Sequence, residues 1–122
     1  MALLTAQASI VYTDSEGTFE SLSLDRFIGA VTTKKYVKGK VSVGTSEEAI
    51  PLGEVTALGW AGFKNLDVTN YVEIRFVTGA GNDHVKVPPL GVAIFHFGSD
   101  VTAPFLIANT AACQVEYLIV SQ

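Results

Sequence analysis

No window of eleven or more residues in this chain sustains the i, i+3, i+4, i+7 apolar spacing of a surface helix; nearly every segment instead alternates apolar and polar or carries a short apolar run bounded by turn residues. That pattern restricts the fold to an all-β class. Leu4, Ala6, Ala8, Ile10 and Tyr12 share one face of a first strand, Asp14-Ser-Glu-Gly17 turns, and residues 18–24 return as its partner. Residues 26–30 are expected to form a short helical turn, and residues 31–43 a basic strand that breaks at Gly44. Residues 49–55 contain Pro51 and belong at an edge or in a loop. Trp60 and Phe63 lead through Asn65, Asp67, Thr69 and Asn70, which bond local backbone and tolerate turn dihedrals, into Val72, Ile74 and Phe76, alternating with Glu73 and Arg75; this reads as a β-hairpin.

Further along, residues 78–83 supply a glycine-rich turn, residues 85–87 a brief strand, and Pro88-Pro89 a break. Residues 92–97 are apolar enough on both faces to predict a central strand, closed by Gly98-Ser-Asp100. Residues 103–108 form a short strand with Pro104 near its start. The last strand, residues 113–120, has Cys113, Val115, Tyr117 and Ile119 on one face and Gln114, Glu116, Leu118 and Val120 on the other. Eight to ten short strands with turn signals about every 8–12 residues predict an antiparallel β-sandwich, jelly-roll-like. No composition shift marks a linker and no repeat exceeds Asp-Val-Thr at 67–69 and 100–102, so residues 1–122 are expected to form one sandwich domain.

The balance of residues points to assembly. Apolar residues make up 48% and charged residues 16%, against about 25% charged in an ordinary soluble domain. A soluble monomer rarely exposes an apolar patch beyond a few hundred Å², so the excess predicts faces buried against other chains, in a homo-oligomer. No membrane span accounts for it, since the longest apolar run, residues 90–95, is far below the ~20 residues a helix needs to cross. Residues 1–25 hold no Lys or Arg and no sustained apolar stretch, so neither a secretory signal nor a transit peptide is expected and folding is assigned to the cytoplasm.

Net charge is −4, but it is unevenly placed. Asp14, Glu16, Glu20 and Asp25 come first, then Arg26, Lys34, Lys35, Lys38 and Lys40, five of the eight basic residues within fifteen positions. Strand alternation puts Lys34, Tyr36, Lys38 and Lys40 on one face, with Val37 and Val41 on the other. The bland reading is a solvated strand face. The functional one makes Arg26, Lys34, Lys35, Lys38 and Lys40 a positive stripe that meets Asp14, Glu16 and Glu20 of a neighbouring copy. Nucleic acid is disfavoured, because the cluster offers only Tyr36 for stacking and the chain as a whole is acidic.

Signatures of catalysis are missing. His84 is expected in a loop and His96 as a half-buried strand residue; neither has further His or Cys at zinc-site spacing, and the His-x-His of a cupin-type metal site does not occur. Asn65, Asp67, Asn70, Asp83 and Asp100 suit Asx turns better than a calcium site. Glu47-Glu48 diverge on a strand and read as a solvated loop. Cys113 reads as a small buried strand residue, not a reactive thiol. Gly-x-Ser-x-Gly, phosphate-loop and dinucleotide motifs are absent. The aromatic rings, Trp60 among them, are expected mostly in the core, with a glycan platform as the alternative. No cofactor, metal or enzymatic activity is expected.

Thr45-Ser-Glu-Glu-Ala-Ile-Pro-Leu-Gly53, Gly59-Trp60, Asn65-Leu-Asp-Val-Thr-Asn-Tyr-Val-Glu73, Val87-Pro-Pro-Leu-Gly-Val-Ala-Ile-Phe95 and Ala108-Asn-Thr-Ala-Ala-Cys-Gln-Val-Glu-Tyr-Leu-Ile119 together resemble small structural proteins of tailed bacteriophages, over residues 42–120. The turn here reads Pro-Pro-Leu-Gly and lacks an acidic residue after the glycine. The resemblance implies a non-enzymatic virion component made in the host cytoplasm: a capsid decoration or cement protein, with a trimer favoured, seated on the major capsid protein. A tail, neck or baseplate component is the alternative within that class, and a glycan- or ligand-binding β-sandwich module the alternative outside it. A small cupin-like enzyme would require a metal.

Overall fold

The computed structural model describes residues 2–31, 35–79, 84–98, 101 and 104–122, with backbone alone for residues 2 and 24–31. The described residues form ten strands in antiparallel sheets and no helix. They fall into two compact units, residues 1–34 and 35–122. The first is a hairpin of β1 (Ala2–Thr13) and β2 (Phe19–Val31), which pair with each other in a two-stranded sheet. Its turn is built by Asp14, whose Oδ1 accepts from the backbone N–H groups of Glu16 and Thr18, both at 2.9 Å, while Gly17 takes φ 86°. A left-handed residue is needed there, and glycine adopts that dihedral without steric cost.

The second unit is a β-sandwich. Its strands are β3 (Tyr36–Val43), β4 (Glu48–Ala49), β5 (Leu58–Asn65), β6 (Val72–Arg75), β7 (His84–Val87), β8 (Val92–His96), β9 (Phe105–Ala108) and β10 (Cys113–Ser121). One sheet has the order β3-β10-β5-β8 and the other β4-β9-β6-β7. The pairs β3 with β10, β4 with β9, β5 with β8 and β6 with β7 compose one long antiparallel ribbon folded over on itself, a jelly-roll-like winding in which β10–β5 and β9–β6 close the two sheets. The sandwich therefore occupies residues 35–122, not the whole chain.

Alternation decides which side chains enter the core. In β10, Cys113, Val115, Tyr117 and Ile119 are buried, as the sequence pattern predicts. They join Leu58, Ala61 and Phe63 of β5, Val72 and Ile74 of β6, and Leu106 and Ala108 of β9 in one hydrophobic cluster. Phe76, just past β6, meets Phe95 and Phe97 edge-on at 5.2 and 5.9 Å, locking one end of the cluster.

Four expectations are corrected. Residues 26–30 are strand, not a helical turn: β2 resumes pairing with β1 beyond a bulge at Asp25 and Arg26 and runs to Val31. Residues 58–76 are not a hairpin, because β5 and β6 belong to different sheets and the polar link between them crosses the sandwich. His84 begins β7, paired with Arg75, instead of lying in a loop. Residues 92–97 do not form a central strand; β8 is the edge of its sheet, with Val92 67% and Ile94 50% exposed. The expected glycine-rich turn from residue 80 to 83, and the turn residues 99 and 100, lie outside the described residues.

Candidate assembly surfaces

The outward face of the β3-β10-β5-β8 sheet is apolar at its centre and basic along its rows. Pairing aligns Lys38, Leu118, Gly62 and Ile94 in one row across four strands, and Lys40, Glu116, Lys64 and Val92 in the next. Beyond these rows the β10–β5 register shifts; Tyr36 pairs with Val120 on one side of it and Trp60 with His96 on the other, the Trp60 and His96 rings stacked at 4.4 Å and 11°. Because Gly62 contributes no side chain between Leu118 and Ile94, a groove of about 370 Å³ opens there, bordered by Lys38, Lys64 and Val92. A Cβ placed on Gly62 meets nothing within 4 Å. Leu118, Ile94, Val92 and Tyr36 remain exposed on this face.

Beside it, Pro88, Pro89, Leu90 and Gly91 form a turn closed by Gly91 N–H donating to the Pro88 carbonyl at 2.9 Å. Leu90 sits at φ 59°, a left-handed dihedral that strains a residue with a Cβ, and is 60% exposed. An exposed, strained leucine thus continues the apolar surface of β8.

The hairpin has its own uncovered apolar face. Directly paired residues share a face, so Ile10 opposite Leu22 and Tyr12 opposite Glu20 stand together. Ile10 and Leu22 are each 70% exposed, and Tyr12 is exposed beside them. Val11 and Phe19 are exposed on the opposite face. A two-stranded ribbon is marginally stable by itself, and this one leaves apolar side chains exposed on both faces.

Of the expected contact residues, Lys35, Lys38 and Lys40 are exposed, and Lys38 and Lys40 share the outward face of β3 with Tyr36. Lys64 of β5, which the sequence did not single out, joins them across Glu116. Arg26 lies at the β2 bulge, its side chain outside the described residues, and Lys34 is itself outside them. Glu16 and Glu20 are exposed; Asp14 is partly covered, and its carboxyl is held below the usual range chiefly by the Thr18 N–H. The structure therefore brings three lysines onto one sheet face and three acids to the hairpin tip, on separate units.

The opposite sheet carries a different kind of surface. Glu47 Oε2 accepts from Arg75 at 2.6 Å, Arg75 Nε donates to Glu73 at 2.7 Å, and the Thr78 hydroxyl and Gly79 N–H donate to Glu47. The Thr78 hydroxyl and the Arg75 guanidinium hold the Glu47 carboxyl down at about 2, and Glu47 together with Glu73 in turn raises the pKa of Arg75. Glu47 is thus a fixed strut, not the solvated loop residue expected, because Arg75 is twenty-eight positions away and no local pattern announces it. Glu48 accepts from Gly44 N–H at 3.1 Å.

Asn65 is buried and knits the crossing link to the Pro88 turn, its Nδ2 donating to the carbonyls of Asn70, Val87 and Pro88 and its Oδ1 accepting from Asp67 N–H. Asp67 in turn accepts from Thr69 and Asn70 N–H, both at 2.8 Å, which lowers its pKa. These are the Asx turns the sequence predicts. Among the described residues no group of three His, Cys, Asp or Glu comes together to hold a metal ion. His96 is exposed on the ring of Trp60, not half-buried. Cys113 is 1% exposed, and burial pushes its thiol pKa up. Compared with protein-family models, curated proteins and solved structures, the chain matches none.

Proposed function

We propose that this chain is a non-enzymatic structural protein of a tailed-phage virion, a capsid decoration or cement protein that works as a homo-oligomer, favoured as a trimer, on the major capsid protein. The observation that carries the reading is the pairing of a folded sandwich core with large apolar surfaces left in water, on the hairpin and on the β3-β10-β5-β8 face. Such surface has no use in a solitary chain and suits a protein that completes itself by association. The sequence resemblance over residues 42–120 supplies the virion part of the reading.

The test is the solution mass of the purified chain by light scattering, followed by mixing with particles that lack it. A trimer that saturates heads, and is stripped by salt, supports the decoration reading. A ring that joins tails and ignores heads moves the protein to the tail, neck or baseplate. A monomer that binds neither overturns the proposal and leaves ligand binding at the groove over Gly62, which a thermal shift with sugars would then read.

A further inference from the structure

The geometry points to a definite contact within that assembly: we propose that the Ile10/Leu22 face of one copy's hairpin docks in the groove over Gly62 on the β3-β10-β5-β8 face of a second copy. This rests on the assembly reading above and specifies its occupant. Both surfaces are apolar and uncovered in the single chain, and each lacks what the other presents. The groove is a depression left by a missing side chain, open to anything that stands above it. The hairpin offers a paired Ile10 and Leu22 projecting from one face.

Charge fixes the orientation. Residues 1–25 contain no Lys or Arg, and Asp14, Glu16 and Glu20 cluster at the hairpin tip. Lys38 and Lys64 line the groove and Lys40 stands in the row beside it, paired with Glu116, which also lines the groove. With Ile10 and Leu22 over Gly62, Glu20 on the same hairpin face comes within reach of that lysine row, and the unlike charges favour this docking over its reverse.

Size agrees. A hairpin of 12 and 13 residues is about 40 Å long and about 10 Å wide, so one face covers on the order of 400 Å². Docking in one direction buries too little for a stable complex, whereas reciprocal docking, in which each copy gives a hairpin and receives one, buries about 800 Å² per chain, the standard size. Closed exchange of this kind also removes both apolar surfaces at once.

Two full-length variants test it by light scattering over a concentration series. E16K/E20K makes the hairpin tip basic against a basic face, and K38E/K64E makes the face acidic against an acidic tip. Each alone should self-associate at least about tenfold more weakly than wild type. Mixed in equal amounts they should bind each other at least about tenfold more tightly than either binds itself, because the hairpin of each variant then meets a face of opposite sign on the other. Leu22→Asp, at a position 70% exposed in the single chain, should also dissociate the assembly while leaving the fold intact. A wild-type monomer, variants that assemble like wild type, or a mixture that does not recover would each overturn the contact. Particle occupancy is not read here: failure of the mixing test leaves the virion reading standing, and restored heteromers that ignore particles would remove the virion reading alone.

Discussion

Replacing Asn65 should damage the sandwich more than any other single polar change, and in a set order. The side chain is 1% exposed; its Nδ2 reaches the carbonyls of Asn70 at 2.9 Å, Val87 at 3.3 Å and Pro88 at 3.2 Å, and its Oδ1 accepts from Asp67 N–H at 3.0 Å. The Pro88 carbonyl keeps Gly91 N–H as a donor after truncation. Asn65→Ala therefore removes a hydrogen-bond partner from three further backbone groups, those of Asn70, Val87 and Asp67, the Asn70 carbonyl keeping only the weak, long contact from the Cys113 thiol at 3.9 Å. At about 1 kcal/mol net for each hydrogen bond, the expected loss is about 3 kcal/mol. Asn65→Asp keeps the bond to Asp67 but turns a carboxylate oxygen toward three carbonyls, so it should cost more than alanine. Urea unfolding followed by the fluorescence of Trp60, the single tryptophan, reads this unit alone. With a slope of about 1.5 kcal/mol/M the alanine midpoint should fall by about 2 M. A loss below about 1 kcal/mol, or an aspartate variant no worse than alanine, would refute the assigned hydrogen bonds.

Three further outcomes are expected. The Glu47 carboxyl is lowered from 4.5 to about 2, so its contribution is complete above pH 4.5 and is lost as pH falls toward 2; urea midpoints across that window should drop more steeply for wild type than for Glu47→Gln. Gly59→Ala places a Cβ 2.9 Å from the Ser121 carbonyl oxygen, at the β5–β10 register shift, and should cost about 1–3 kcal/mol, whereas Gly62→Ala in the same strand should stay within about 0.5 kcal/mol. Calorimetry that ranks the two alike would contradict the geometry. Leu90→Gly relieves a left-handed leucine and should raise stability by about 0.5–1 kcal/mol in the isolated chain, since the strain of about 1–2 kcal/mol exceeds glycine's extra entropy; a lower unfolding midpoint would show that Leu90 contributes packing instead.

The strand count, the β1–β2 hairpin, the faces of β10 and the Asx turns were legible because each depends on neighbours in sequence. Pairing partners were not. The link from Asn65 to Tyr71 has the composition of a hairpin turn, yet β5 and β6 lie in separate sheets, and composition cannot distinguish a turn from a crossing. Residues 26–30 lose their period-two register at the bulge, which hid a strand that continues to Val31. Glu47 looked solvated because Arg75, Thr78 and Gly79 reach it only after the ribbon folds. For the candidate surface, the lysines of β3 were visible in sequence while Lys64 and the groove over Gly62 were not, since both arise from the order β3-β10-β5-β8.

The misreading of residues 92–97 carries the physical argument furthest. An apolar run such as Val92-Ala-Ile-Phe-His96 is ordinarily a central strand because both its faces need cover. Here it is an edge, and neither a charge nor a proline guards it, in contrast to β3 at the other edge with Lys38 and Lys40. The second sheet satisfies its charges among themselves: Glu73, Arg75 and Glu47 pair with one another and are largely shielded from solvent, and Lys86 lies over the Tyr71 ring at 5.1 Å. The first sheet forgoes that on the same scaffold, leaving Val92, Ile94 and Leu118 in water, with a strained Leu90 beside them and the lysines set around their edge. One face closed by its own ion pairs and one left apolar with a charged border has the composition the proposed interface requires, an apolar centre within a polar rim. It is the hairpin, with an apolar face and an acidic tip, that has the matching chemistry.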